Sequence, residues 1–281
     1  IRDYQNGEII FDRRYGSTNT FEKNNYPVGY NLGQSGNTPS QNLVDAYEMI
    51  DGTPFDWNNP EHKSNPYANR DPRLAMSILT NNVEFKDRTI EAWTGGRDGK
   101  GVIHATRTGY YIYKFIDPNL DLLQNRTSVH HWVIMRYAEI LLSYAEAMNE
   151  AYGPTGNVGY RLNAVRALNQ VRNRVGVEMP AVPTAISKEE LREKIRNERR
   201  VELAFEDHRF WDVRRWMIAE QEGVMSGAMY GIKIYWINSS PQEFRYTPYL
   251  YENRTFTKKM YLHPFSTNEV NKGYLIQNPG Y

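Results

Sequence analysis

The densest run of chemically capable side chains in this 281-residue chain lies between Ser187 and Glu220, where nine Lys or Arg are interleaved with nine Asp or Glu. A helix that cancels its own charge is a poor polyanion binder, and the whole chain nets only +1, so nucleic acid is excluded as a natural partner. Glu198, Arg199 and Glu202 fall on successive helical turns, a spacing that suits a paired network locking helices together. Glu206, Asp207 and Asp212 have the residue types of a glycosidase pair. The sequence supplies no separation between them, and separation is what defines acid and nucleophile, so structural pairing carries more weight.

Metal chemistry finds little footing. Asp117, Asn119 and Asp121 open like a calcium loop, yet the sixth position is Leu122 where the turn needs Gly, and the twelfth is Ser128 where the ion needs Glu. None of the six histidines forms an HExxH spacing, and the adjacent His130 and His131 project in different directions on a helix or a strand. With zero cysteines there is no disulfide, thiolate nucleophile or sulfur ligand set. P-loop, GxSxG and GxGxxG patterns are also missing. No catalytic residue, metal ligand or cofactor is therefore assigned, and the weight moves toward binding or structure.

What stands out instead is the aromatic content, 21 Tyr, 10 Phe and 6 Trp. Tyr15, Tyr26, Tyr30, Phe55, Trp57 and Trp93 lie in loop-like segments among Asn, Gln, Asp and Arg. Flat rings beside planar amides suit the apolar faces and hydroxyl edges of sugars, so these six are the candidate ligand-binding residues. The competing role is to anchor long loops to the core.

Elements to carry these residues can be read from periodicity. Residues 1 to about 70 read as loops, with a short helix at 42–50 and a helix start at Asp71-Pro72, Asp71 capping and Pro72 in the first turn. Tyr110–Ile116 is β-branched and aromatic, as in a strand. Ile134, Tyr137, Ala138, Leu141, Ala145 and Met148 stripe a helix from 133 to Tyr152, stopped by Gly153-Pro154. Leu162, Val165, Leu168, Val171 and Val175 stripe a second, antiparallel one ended by Gly176. Ser187 and Glu190 make a capping box for a third, running toward Phe205, breaking near Asp207 and resuming at Phe210. The longest apolar runs, such as Trp132–Met135, are four residues, far below the roughly 20 that span a bilayer. The chain opens at Ile1 without an initiator Met, so its start is expected to be internal to a longer protein.

Asn197-Glu-Arg-Arg-Val-Glu-Leu-Ala-Phe-Glu206 followed by Arg209-Phe-Trp-Asp-Val-Arg-Arg-Trp216 resembles the signature of the SusD/RagB family. So do Arg136-Tyr-Ala-Glu-Ile-Leu-Leu-Ser-Tyr-Ala-Glu-Ala147, Asn169-Gln-Val-Arg-Asn-Arg174, Asn69-Arg-Asp-Pro-Arg-Leu74, Thr108-Gly-Tyr110 with Lys114-Phe115, and Gln277-Asn-Pro-Gly-Tyr281, all in the family's order. The resemblance covers the C-terminal half of a usual member. It implies a mainly α, tetratricopeptide-containing fold with long loop-rich insertions and minor β. In that scheme 1–132 is a loop-rich ligand-side region, 133–177 a helix hairpin, 187–220 the signature helices and 221–281 a C-terminal loop region. The implied protein is a non-enzymatic lipoprotein on the extracellular face of the outer membrane. It would deliver oligosaccharide, or oligopeptide as in RagB-like members, to a SusC-like TonB-dependent transporter; a glycoside hydrolase is the remaining alternative. Asp212 is expected to pair with Arg209 or Arg215 over Trp211 and Trp216.

Overall fold

The computed structural model describes residues 5–281. In chain order its elements are β1 (Ile9–Arg14), α1 (Thr20–Asn25), α2 (Gln41–Val44), α3 (Pro60–Ser64), α4 (Pro72–Ser77), β2 (Ile78–Leu79), β3 (Glu84–Phe85), β4 (Arg88–Thr89) and β5 (Tyr111–Ile112). Then come β6 (His131–Arg136), α5 (Tyr137–Tyr152), α6 (Ala164–Arg172), α7 (Lys188–Glu202), α8 (His208–Arg215), β7 (Gly227–Ser239), β8 (Gln242–Arg254), a 3-10 turn at Lys258–Tyr261 and α9 (Thr267–Val270). The strands pair as four separate antiparallel ribbons, β1 with β6, β2 with β5, β3 with β4 and β7 with β8.

Periodicity succeeds where partners are local. Leu141, Leu142, Ala145 and Met148 of α5 pack with Val165, Leu168 and Val171 of α6 and with Leu191 and Ile195 of α7 in one apolar cluster. The Ser187–Glu190 capping box forms as read, with the Ser187 side chain accepting from Glu190 N–H and the carboxylate returning to the Ser187 N–H. Asp71 caps α4 by accepting from Arg73 N–H, with Pro72 in the first turn. After α7 the chain takes left-handed backbone at Phe205 and Asp207, which breaks the helix before α8.

Five expectations are corrected. Residues 131–136 are strand, not the first turns of α5, because their backbone ladders onto Ile9–Arg14; Ile134 and Tyr137 are consequently exposed. Val175 lies beyond the end of α6 and is also exposed. The expected strand at 110–116 shrinks to β5, since Phe115 turns left-handed and Lys114 swings inward to an acid. The helix at 42–50 stops at Val44 because Arg70 Nη2 donates to the carbonyls of Val44 (2.6 Å) and Tyr47 (2.7 Å), acceptors that a longer helix would use internally. Residues 221–281, expected as loop, contain the longest ribbon of the described chain, β7 and β8. Its β-branched and aromatic residues alternate across the pleat, and Ile232, Ile234 and Tyr246 enter a second core with Tyr26, Tyr47, Ile78, Tyr110 and Tyr111. Gly109, at φ +85°, lets the preceding loop press onto this ribbon; a Cβ there would stand 2.5 Å from the Ile232 side chain.

Between the two cores runs a buried ionic network. Arg73 forks onto Asp71 and donates to Glu198 and to Glu202 (2.8 Å). Arg136 binds Glu202 (2.7 Å), Glu206 (2.7 Å) and Glu8 (2.8 Å). Lys114 reaches Glu206 (2.6 Å), Arg174 reaches Glu202 (2.6 Å), and Arg172 joins Glu198 (2.7 Å) to Glu48 (2.9 Å). Burial alone would raise the Glu202 pKa, but Arg136, Arg174 and Arg73 overcome it and hold the carboxyl below its ordinary value; Lys114 and Arg136 do the same for Glu206. Glu202→Ala is expected to lose about 3–5 kcal/mol, the cost of leaving buried cations unpaired, read as a lowered midpoint in chemical denaturation. Since both acids bind protons less readily folded than unfolded, this stability is present at neutral pH. It should drain away as pH falls below the ordinary carboxylate value of 4.5, and a melting temperature unchanged from pH 7 down to pH 3 would contradict the assignment.

Candidate functional site

The glycosidase reading of the signature acids does not survive their surroundings. Glu206 is clasped by Lys114 and Arg136, and Asp212 by Arg199 (2.9 Å) and Arg215 (2.8 Å). Asp212 thus takes Arg199 and Arg215, not Arg209, as its partners. Trp216 lies beneath the Arg215 guanidinium, 4.7 Å from its centroid, and donates to Glu146, whereas Trp211 is 61 % exposed. Asp212 thus ties α8 to α7, and Glu206 is committed to Lys114 and Arg136.

Two of the six candidate rings are also structural. Tyr26 and Tyr30 are buried. The Tyr30 hydroxyl donates to the carbonyls of Phe85 (2.6 Å) and Arg88 (3.2 Å), and the Tyr26 hydroxyl to those of Asp117 and Leu120. Burial pushes the Tyr30 phenol well above its usual range. The two hydroxyls thus fasten the irregular Tyr-Pro-Val-Gly-Tyr segment to the β3–β4 hairpin and to the 117–120 loop. Tyr15 is exposed but borders a different cleft, of about 500 Å³, with Arg13, Trp132, His208 and Trp211.

The remaining three, Phe55, Trp57 and Trp93, stand behind one cleft, reaching it through Arg70 and Phe244. A cleft of about 480 Å³ opens between the α3–α4 segment, the residues that follow β2, and the start of β8. Tyr67, Phe244 and Tyr246 supply its rings, and Asn65, Asn81, Asn82 and Gln242 its amides. The rings form a continuous row. Tyr67 meets Tyr246 edge-on at 5.3 Å, Tyr246 lies 6.3 Å from Phe244, and Phe244 lies 5.3 Å from Trp93 and 5.6 Å from Trp236. Trp93 therefore belongs to the site through Phe244, with Trp236, 42 % exposed, beside it at 4.8 Å. Asn81 fixes the near wall, its Oδ1 accepting from Ala92 N–H at 3.0 Å.

Phe55 and Trp57 stand on the flank. The Arg70 guanidinium lies over Phe55 at 4.2 Å, Phe55 meets Trp57 at 5.1 Å, and Trp57 Nε1 donates to Asp45 at 3.1 Å. Arg70 itself borders the cleft. Burial pulls its pKa down and the Asp45 charge partly restores it. Burial likewise raises the phenols of Tyr67 and Tyr246, so both stay neutral hydrogen-bonding groups. Sequence reading missed Tyr67, Trp236, Phe244 and Tyr246. The usable signal was the alternation of Trp236 with Ile234 and of Phe244 with Tyr246, which places rings on one face of a strand.

With this geometry in place, the comparisons with known proteins have a definite meaning. The family model described as the SusD family matches residues 7–281. The chain belongs to the SusD family. A solved SusD-like protein from Bacteroides fragilis is 32% identical, superposes with a TM-score of 0.79, and is matched over 99% of this chain and 55% of its own. A SusD-like carbohydrate binding protein from the same species is 28% identical, with a TM-score of 0.76, over 94% of this chain and 53% of its own. A SusD-like protein of Formosa agariphila is 35% identical over 111 residues, 38% of this chain and 20% of the relative. The chain thus spans about half the length of the solved SusD-family relatives it matches.

Within this SusD-family chain the structural and the cleft-lining rings are separable by substitution. Tyr30→Phe should cost about 1 kcal/mol in urea unfolding, because two buried carbonyls lose their donor, while near-UV circular dichroism of the native state stays unchanged. A variant as stable as the parent would show that those hydrogen bonds contribute nothing.

Proposed function

We propose that the chain is the glycan-binding part of a cell-surface nutrient importer, held at the outer membrane by an N-terminal lipid anchor and delivering oligosaccharide to a SusC-like TonB-dependent transporter. On this reading it binds without cleaving, and α5 with α6 is one tetratricopeptide-like unit of the frame. The observation that carries the proposal is the set of rings at the cleft, Tyr67 and Phe244 with the largely buried Tyr246 between them, edged by amides and adjoined through Phe244 by Trp93 and Trp236. Sugar rings present apolar faces and hydroxyl edges, and this wall offers flat apolar surface and neutral donors and acceptors at matching places. The carbohydrate binding named for the Bacteroides fragilis relative supports the same ligand class.

Calorimetry of a glycan hit from an oligosaccharide panel tests it. Phe244→Ala and Trp236→Ala should each weaken binding by about 1 kcal/mol, roughly fivefold, at an unchanged melting temperature, while Tyr15→Ala leaves affinity as it was. Capture of peptides with no glycan binding would transfer the chain to the oligopeptide reading, and release of product from a labelled oligosaccharide would make it a hydrolase.

A further inference from the structure

Resting on the glycan reading, we propose that the cleft selects uncharged oligosaccharides and rejects those carrying carboxylate or sulfate groups. A buried or half-buried carboxylate or sulfate must meet a cation with free donors, and the efficient solution is a guanidinium presenting two parallel N–H groups. Among the described residues lining the cleft, the only cation is Arg70. Its fork is already spent: Nη1 donates to Pro66 O at 2.7 Å, and Nη2 to Val44 O and Tyr47 O. One guanidinium face is covered by Phe55 at 4.2 Å, and Asp45 and Asp71 act on its charge. What is left is the Nε donor and one N–H of Nη1, and because both hydrogens of Nη2 are taken no parallel pair remains for the bidentate contact.

The strand geometry turns Arg245 away as well. Arg245 lies between Phe244 and Tyr246 on β8, so the pleat sends it to the opposite face, where its guanidinium stands 5.0 Å from the Tyr235 ring. Meanwhile two acidic residues, Asp71 and Glu243, border the cleft, and Asp71 is saturated by Arg73. An anionic glycan would therefore find no cation with a free pair of donors in the cleft. A neutral one meets Asn65, Asn82 and Gln242, groups that both donate and accept, as hydroxyls require.

The experiment uses matched pairs, so that backbone and linkage are constant: methyl-esterified against free oligogalacturonides, and desulfated against sulfated galactan oligosaccharides, printed beside neutral xylan, mannan and β-glucan oligosaccharides. Binding is expected among neutral members, and in any pair that binds, the charged partner should be at least about tenfold weaker at low salt, with the gap narrowing as salt rises. Gln242→Arg, which adds a fork on the cleft-facing side of β8, should raise affinity for the charged partner about threefold to fivefold. A charged member that equals or outbinds its neutral partner overturns the selectivity and leaves the glycan reading standing. Binding to no glycan overturns both.

Discussion

Three carboxylates spaced four residues apart in the chain, Glu198 and Glu202 on α7 and Glu206 just beyond it, are the constraint around which the rest of the structure is arranged. All three are buried, and removing each from water costs on the order of several kcal/mol unless cations with good geometry accompany it. Arg73, Arg136, Arg172, Arg174 and Lys114 answer that demand, and they come from segments distant in sequence. A network of this kind adds little net stability over an apolar core of equal volume. What it supplies is mutual dependence, since no member can be removed without stranding the others.

That dependence reaches the ligand cleft. Arg73 fixes Asp71, Asp71 caps α4, and α4 with the residues before it forms one wall. Arg70, three positions earlier, ties the same segment to the loop after α2. The opposite wall has a different origin. The start of β8 stands on a two-stranded ribbon, a marginal unit alone, which is secured by burying Ile232, Ile234 and Tyr246 in the core. The cleft is thus a seam between an ionically pinned wall and an apolar-anchored one, with Tyr67 and Tyr246 meeting across it.

Legibility in the sequence follows the range of the interactions. The helices α5, α6 and α7 and the caps at Ser187 and Asp71 were readable because stripes and caps involve neighbours within four residues. The Glu198, Arg199 and Glu202 spacing was readable as a network for the same reason. Its partners Arg73, Lys114 and Arg136 were not, being at least 60 residues away in the chain, and neither was β6, whose Trp-Val-Ile-Met fits a helical stripe until Ile9–Arg14 pairs with it. The β7–β8 ribbon escaped because Gly231 and Pro248 interrupt its strand pattern and its turn lacks an Asn-Gly signal.

The same logic explains why Tyr26 and Tyr30 turn inward while Phe244 on the ribbon borders the cleft. A long irregular segment leaves carbonyls unpaired, and each must find a donor if it is buried. Tyrosine satisfies both needs at once, filling the interior with its ring and bringing a hydroxyl to the carbonyl, as Tyr26 does at Asp117 and Leu120. In a chain with 21 tyrosines and much irregular backbone, a ring flanked by Asn, Gly and Pro is therefore drawn inward by its own neighbourhood. On a paired strand the backbone is already satisfied by its ladder, so a ring there is free to serve something outside the chain. Phe244, which has no hydroxyl to give, and Trp236 on the partner strand are rings of that kind.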